Sequence, residues 1–268
     1  MSRFDSSLAA FAAALPDGSR VAIPPDYSGV ALAATRALVA RGARDLRLVA
    51  VPQAGFQADI LIGAGCVSAI ETAGVNLGEL GLAPRYTEAI ERGALRILDA
   101  TCPAVHAGLQ AAEKGIPFIP LRGILGSDLL RVRPDWRVID NPYGEDDPIV
   151  LIPAIRPDVA LFHARWADRL GNVWVGVRRE LMTMAHAAAQ TLVTVEAIRD
   201  DCLLDDPALA AGTLPALYVG RICVAPGGMR PLPFGEDGGD DAALAAYARA
   251  ARTQAGFDAW LATWLAAA

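Results

Sequence analysis

The sequence predicts an α/β fold, a mainly parallel sheet with helices on both faces, on the strength of three observations. Short apolar runs bounded by turn residues recur along the chain, as buried parallel strands do. They alternate with alanine-rich stretches whose apolar residues keep helical spacing. The 268 residues are 53% hydrophobic and 20% charged, enough apolar surface to offset the entropy of ordering a large core. Such alternation specifies a parallel sheet covered by helices, and the chain reads as one domain over residues 1–268.

In order, residues 5–15 predict a first helix, ended by Pro16-Asp17-Gly18. Arg20–Ile23 is a strand followed by a Pro24-Pro25-Asp26 loop, and 30–41 a helix with Gly42 as its C-terminal cap. Leu46–Val51 and Asp59–Ile62 read as buried strands. A helix over 84–92 starts with proline and stops at Gly93. Leu95–Leu98 is a strand, Pro103–Lys114 a helix with Thr101 or Cys102 near its start, and Ile116–Ile119 a strand. Residues 131–148, rich in proline and acids and without a period, read as a surface excursion. Ile149–Ile152, Val159–His163, Thr191–Val195 and Tyr218–Val224 are strands, and 179–189 a helix. After a Gly/Pro/Asp-rich loop, two C-terminal helices split near Gly256.

Charge and composition exclude several classes. With 24 basic against 30 acidic residues the net charge is −6, which argues against a nucleic-acid footprint. Lys114 is the single lysine, so positive charge is nearly all arginine. No apolar run reaches the ~18 residues of a membrane span, and Arg3 and Asp5 do not open a secretory signal. Cys66, Cys102, Cys202 and Cys223 form no C-x-x-C pair and show no metal spacing. A reduced, cytoplasmic protein is the expectation.

Few motifs stand out from the residues alone. Gly63-Ala64-Gly65 begins like a dinucleotide fingerprint, but position 68 is Ser and the third glycine is missing. A tight strand-to-helix turn is the simpler reading. His163 ends a predicted strand, where carboxyl ends line a ligand crevice, although a hydrogen-bonded core histidine accounts for it as well. Cys102 sits at a helix mouth, where a thiol gains acidity. No paired base is visible, so contact is favoured over nucleophile. The loop Arg122-Gly123-Ile124-Leu125-Gly126-Ser127-Asp128 offers backbone N–H groups and an arginine to a ligand, or is an ordinary glycine-containing loop.

Taken together, several segments resemble the alpha subunit of family I coenzyme A transferases, of the glutaconate CoA-transferase A type. They run from Asp45-Leu46-Arg47-Leu48-Val49 and Ala58-Asp59-Ile60-Leu61-Ile62-Gly63-Ala64-Gly65-Cys66-Val67 to Gly115-Ile116-Pro117-Phe118-Ile119-Pro120 and Leu125-Gly126-Ser127-Asp128-Leu129. The densest stretch is Pro153-Ala154-Ile155-Arg156-Pro157-Asp158-Val159-Ala160, with His163-Ala164, Ala167-Asp168 and Gly171-Asn172-Val173 after it. Ala187-Ala188, Val193-Thr194-Val195-Glu196 and Ala225-Pro226-Gly227-Gly228 complete the set, in family order and spacing.

The resemblance implies a CoA-transferase-type fold and a hetero-oligomer of alpha and beta subunits. It implies a catalytic glutamate on the beta subunit, in an E-x-G-x-x-G setting, that attacks an acyl-CoA and passes CoA through a glutamyl thioester to a carboxylic acid. No E-x-G-x-x-G occurs here, since Glu71-Thr72-Ala73-Gly74 has the wrong spacing. No catalytic residue is therefore expected in this chain, no cofactor is expected to be tightly bound, and coenzyme A enters as substrate. Ser28, Gly29, Thr101, Cys102, Gly126 and Ser127 are expected to line the substrate crevice at the subunit boundary.

The chain also departs from the family pattern. Where its relatives carry Gly-Gly-Phe and then Gly-x-Pro, it reads Pro24-Pro25-Asp26-Tyr27-Ser28-Gly29-Val30, and proline donates no backbone hydrogen bond to an oxyanion. Gly-Gly-Ala-His-Pro becomes Gly227-Gly228-Met229-Arg230-Pro231. A branch of the family hydrolyses a steroid-ring acyl-CoA with a glutamate that would fall at Cys102, and a thiol does not replace that carboxylate. Hydrolysis or ring opening, and a non-catalytic scaffold, are the alternatives to transfer.

Overall fold

A computed structural model describes residues 3–267. The chain opens with β1 (Phe4–Asp5), α1 (Leu8–Ala13), β2 (Arg20–Ile23), α2 (Leu32–Ala40), β3 (Leu46–Ala50), α3 (Phe56–Gly63) and β4 (Val67–Thr72). It continues through α4 (Pro84–Glu91), β5 (Arg96–Asp99), α5 (Cys102–Glu113), β6 (Phe118–Leu121), α6 (Leu129–Val132), β7 (Arg137–Asp140) and β8 (Pro148–Pro153). Then follow β9 (Val159–Asp168), β10 (Val173–Trp174), α7 (Arg179–Ala187), β11 (Gln190–Arg199), α8 (Pro207–Ala210), β12 (Thr213–Leu214) and β13 (Arg221–Val224). Two helices, α9 (Asp241–Ala250) and α10 (Gln254–Ala266), close the chain.

The main sheet has the order β1-β13-β11-β9-β2-β3-β4-β5, and every pair along this path is parallel. From β2 the chain steps outward through β3 and β4 to β5. It then returns to β9, on the other side of β2, and steps outward again through β11 to β13. The direction of winding reverses between β2 and β9, so the loops leaving their carboxyl ends diverge and open a crevice there.

Strand alternation sends alternate residues to opposite faces. Val21, Ile23, Leu48 and Ile70 join a core with Phe11, Leu38, Leu61, Tyr247 and Phe257 on one face. Ala22, Val49, Phe162 and Val193 join Val105, Leu109, Leu181 and Met184 on the other. A three-stranded antiparallel sheet, β6-β8-β7, contributes Val150 and Ile152 to that second core. No helix among the described residues is long and apolar enough to cross a membrane.

Several expectations from sequence need correction. Asp59–Ile62 is part of helix α3, whose residues Phe56 to Ile62 are all buried. A helix buried on every side has no polar face, so its period is indistinguishable from a buried strand. The strand of that unit is β4, and Gly63-Ala64-Gly65 closes a helix. The excursion over 131–148 contains β7, an exposed edge strand with no apolar alternation to reveal it. Residues Phe4–Asp5 pair with β13 before the first helix starts. The final helices separate at residues 251–253, and Gly256 lies inside α10, its N–H held by the Thr253 hydroxyl at 3.1 Å.

Candidate active site

The loop after β2 turns through a Ser28 N–H to Pro25 C=O bond of 2.9 Å and enters the crevice beside β9. Gly29 is bound to β9 through the His163 N–H, which donates to the Gly29 carbonyl at 2.6 Å. Its backbone has φ +88°, and a Cβ there would lie 2.3 Å from the His163 carbonyl oxygen. Only glycine brings the two strand ends this close.

His163 is fully buried and both ring nitrogens are engaged. Nδ1 lies 2.9 Å from Thr194 Oγ1 and Nε2 lies 2.7 Å from Glu196 Oε1, so β11 fixes the ring. The other Glu196 oxygen accepts from the Gly227 N–H at 2.8 Å. The His163 hydrogen bond, aided by Gly227, holds Glu196 below its ordinary pKa against the opposing effect of burial. An ionised Glu196 can only accept, so Nε2–H donates to it, and in the neutral ring Nδ1 accepts from the Thr194 hydroxyl. Gly228 is required by the same packing, because a Cβ would meet the imidazole ring at 2.7 Å.

A cavity of about 430 Å³ opens on the outer side of this arrangement, lined by Ser28, Gly29, His163, Arg165, Arg178 and Phe234 among others. Ser28 is buried and donates its hydroxyl proton to Glu180, in the first turn of α7. Toward a ligand, Ser28 thus presents oxygen lone pairs. Arg165 lies over the Trp166 ring at 4.8 Å and Arg178 over Tyr27 at 5.3 Å. Neither guanidinium makes an ion pair among the described residues.

A second cavity, about 600 Å³, lies on the other side of the loop between the carboxyl ends of β2, β3 and β4. Tyr27 borders both cavities. Here Asp26 Oδ2 accepts the Phe56 N–H at 3.1 Å, capping α3 in place of Gly55, while Oδ1 has no partner among the described residues. Burial, with the nearby Asp59 charge, pushes Asp26 up to about 7. Burial raises Asp59 to about 6, although the Tyr247 hydroxyl and the Tyr86 N–H donate to it at 2.6 and 2.8 Å.

The predicted site residues divide into three groups. Ser28 and Gly29 share the 430 Å³ cavity with His163. Thr101 and Cys102 begin α5, which packs against α7. Thr101 Oγ1 accepts the Ala104 N–H at 3.3 Å and Cys102 is exposed, and neither lines that cavity. One turn after Cys102, His106 feels the Glu180 charge, while burial depresses its pKa. Gly126 and Ser127 lie in the loop before α6, outside the cavity, with the Ser127 hydroxyl donating to the Ile124 carbonyl at 2.8 Å.

Sequence reading missed Glu180, Arg165, Arg178 and Asp26. Arg165 directly follows Phe162-His163-Ala164 and is within reach of the strand-end argument. The His106 position, four residues after Cys102, is also legible once the helix is known to start at Cys102.

A crevice at a topological switch point, between loops of a parallel α/β sheet, defines a binding chain of the doubly wound kind. It is 34% identical to the A chain of 3-oxoadipate CoA-transferase from Pseudomonas knackmussii, over 91% of this chain and 87% of that protein. It is 31% identical to the A chain of glutaconate CoA-transferase from Acidaminococcus fermentans, over 79% and 72%. The cholesterol ring-cleaving hydrolase IpdA subunit of Rhodococcus jostii is 29% identical over 87% of this chain and 82% of that protein. Among solved structures, glutaconate CoA-transferase from A. fermentans superposes with TM-score 0.88 at 26% identity, covering 98% of this chain and 89% of that one. The decarboxylase AibA/AibB matches with TM-score 0.85 at 31% identity, covering 99% and 100%. No protein-family model matches the sequence.

The chain belongs to the CoA-transferase family, as a chain of its alpha (A-subunit) type.

Proposed function

We propose that this chain is the substrate-orienting half of an enzyme that moves coenzyme A between an acyl-CoA and a carboxylic acid, with the nucleophilic glutamate supplied by the beta partner. The observation that carries this reading is the state of the carboxylates beside the crevice. Glu180 is tied to Ser28, and Glu196 to His163 and Gly227. A carboxylate whose lone pairs accept internal hydrogen bonds, and whose pKa is lowered as Glu196's is, is a weaker nucleophile. Meanwhile Arg165 and Arg178 offer the cavity two guanidinium groups suited to an acceptor carboxylate.

In this reading the partner's carboxylate attacks the acyl carbonyl, the CoA thiolate leaves, and a mixed anhydride forms. The thiolate then attacks the glutamyl carbonyl of the anhydride and releases the first acid, leaving a glutamyl thioester. The acceptor acid reverses both steps. Ser28 and Gly29 supply contacts to the acyl group from the 430 Å³ cavity, whereas Thr101, Cys102, Gly126 and Ser127, which lie outside that cavity, are assigned to the edge of the crevice at the subunit boundary.

Intact-mass analysis of the co-purified pair after incubation with a panel of acyl-CoAs tests this. The expected result is a CoA adduct on the partner subunit, discharged by added carboxylate. The full-length likeness to AibA/AibB supports a second reading, decarboxylation in the same crevice. Release of carbon dioxide without an adduct would establish that reading, and free CoA without an adduct would establish hydrolysis.

A further inference from the structure

The opposite end of β2 carries a different chemistry. In the sheet register Arg20 pairs with Arg47, Arg47 with Ala69, and Ala69 with Arg96. Residues paired across parallel strands point to the same face, so three arginines stand in one row over four strands, interrupted by a methyl group. Neighbouring strands are about 4.8 Å apart, and like charges placed directly opposite one another destabilise a sheet. The next row, Ala22, Val49, Glu71 and Leu98, holds a single acid.

Over this row lies a cleft of about 520 Å³, closed on one side by residues 132–135. Arg133 is buried there and lies over the Trp136 ring at 4.3 Å. Glu71, also buried, is shared between Arg20 at 2.5 Å and Arg133 at 2.7 Å, and Asp135 holds Arg133 at 2.8 Å. These contacts neutralise the floor. Arg47 has only Asp158, at 3.7 Å on the rim, together with the Gly18 carbonyl at 3.2 Å. Arg96 is exposed and makes no ion pair among the described residues. The mouth of the cleft therefore presents two guanidinium groups on either side of Ala69, in a protein whose net charge is −6.

We propose that this cleft is a second ligand site, separate from the switch-point crevice, which binds a diphosphate group between Arg47 and Arg96. Guanidinium forks match phosphate oxygens in pairs. Two side chains rooted two strands apart, about 10 Å, suit two linked phosphates better than one. Ala69 leaves the room between them, and the Glu71-anchored Arg20 and Arg133 line the inner wall. The diphosphate comes either as inorganic pyrophosphate or as part of a nucleotide.

Calorimetric titration of the co-purified pair with pyrophosphate, and separately with adenosine diphosphate, tests the site. Saturable binding, one ligand per chain, is expected. It should weaken at least tenfold in Arg96→Gln and in Arg47→Gln, while the pair's turnover at the crevice stays unchanged. Both residues are exposed, so the variants keep the fold, and an unchanged thermal midpoint confirms it. Tighter binding of the nucleotide than of pyrophosphate assigns a nucleotide, and the reverse order assigns the inorganic anion. Absence of saturable binding to the pair, or equal affinity in both variants, overturns the proposal.

Discussion

On one side of the β2 loop Glu196 is ionised and firmly held, and on the other Asp26 and Asp59 are pushed toward the neutral form. Glu196 is partly open to solvent and accepts from an imidazole and a backbone N–H. Asp26 has one accepting bond at Oδ2 and a buried, idle Oδ1. Burial acts on both carboxyl groups, and the number of donors aimed at each decides which way its pKa moves. Glu196 serves to lock His163 and with it the crevice wall. Asp26 caps α3 at the cost of a carboxyl group that resists ionisation.

The firm side breaks most readily at Gly29. Alanine there must hold φ near +88° and place its Cβ 2.3 Å from the His163 carbonyl oxygen. Left-handed strain plus displacement of β9 should cost roughly 4 kcal/mol or more. Gly18→Ala provides the reference, since φ is +75° but nothing lies within 4 Å of its Cβ. That variant should lose only about 1–2 kcal/mol. Equal losses in urea unfolding would mean that the contact with His163 does not constrain the loop.

On the Asp26 side the signature is pH dependence. Asp26 titrates from its ordinary 3.8 in the unfolded chain but near 7 in the fold, so between these values only the folded state keeps the proton. Its contribution to stability is complete below the lower value and is lost as pH rises through the upper one. Glu196 behaves oppositely, and its contribution is lost as pH falls through its lowered pKa. Asp26→Asn retains an oxygen for the Phe56 N–H and cannot ionise. Each pH unit of that interval is worth about 1.4 kcal/mol, and the cost of burying an amide NH2 is the same at every pH. Denaturant unfolding between about pH 4 and pH 8 should therefore show Asn gaining on Asp by roughly 4 kcal/mol. A constant gap would place the Asp26 carboxyl in contact with solvent.

How far the sequence reveals this molecule depends on the range of the interactions involved. The parallel strands β2, β3, β9, β11 and β13 are legible because each is an apolar run between turn residues. Helix α3 is not, since its cap comes from Asp26, 30 residues earlier, and its burial removes the polar face. Ser28 and Gly29 are singled out by the resemblance and the strand-end rule, and the structure places them in one cavity with His163. Glu180 is invisible because its partner lies 152 residues away. Nor does any local pattern announce the row Arg20, Arg47, Arg96, which exists only once the register is set.

Helix α5 offers the mildest contrast with α3, because it is capped by its own chain. Thr101 has extended backbone, φ −104° and ψ 156°, and its hydroxyl oxygen accepts the Ala104 N–H at 3.3 Å. Pro103 leaves one fewer first-turn N–H in need of a partner. Thr101→Ala should therefore cost about 1 kcal/mol in denaturant unfolding, and Thr101→Ser almost nothing. The loss should not vary with pH, because no titrating group takes part, whereas the Asp26 cap of α3 weakens stability as pH rises. If Thr101→Ala instead left stability intact but slowed turnover of the assembled pair, the hydroxyl would belong to the substrate edge along α5 and not to the helix cap.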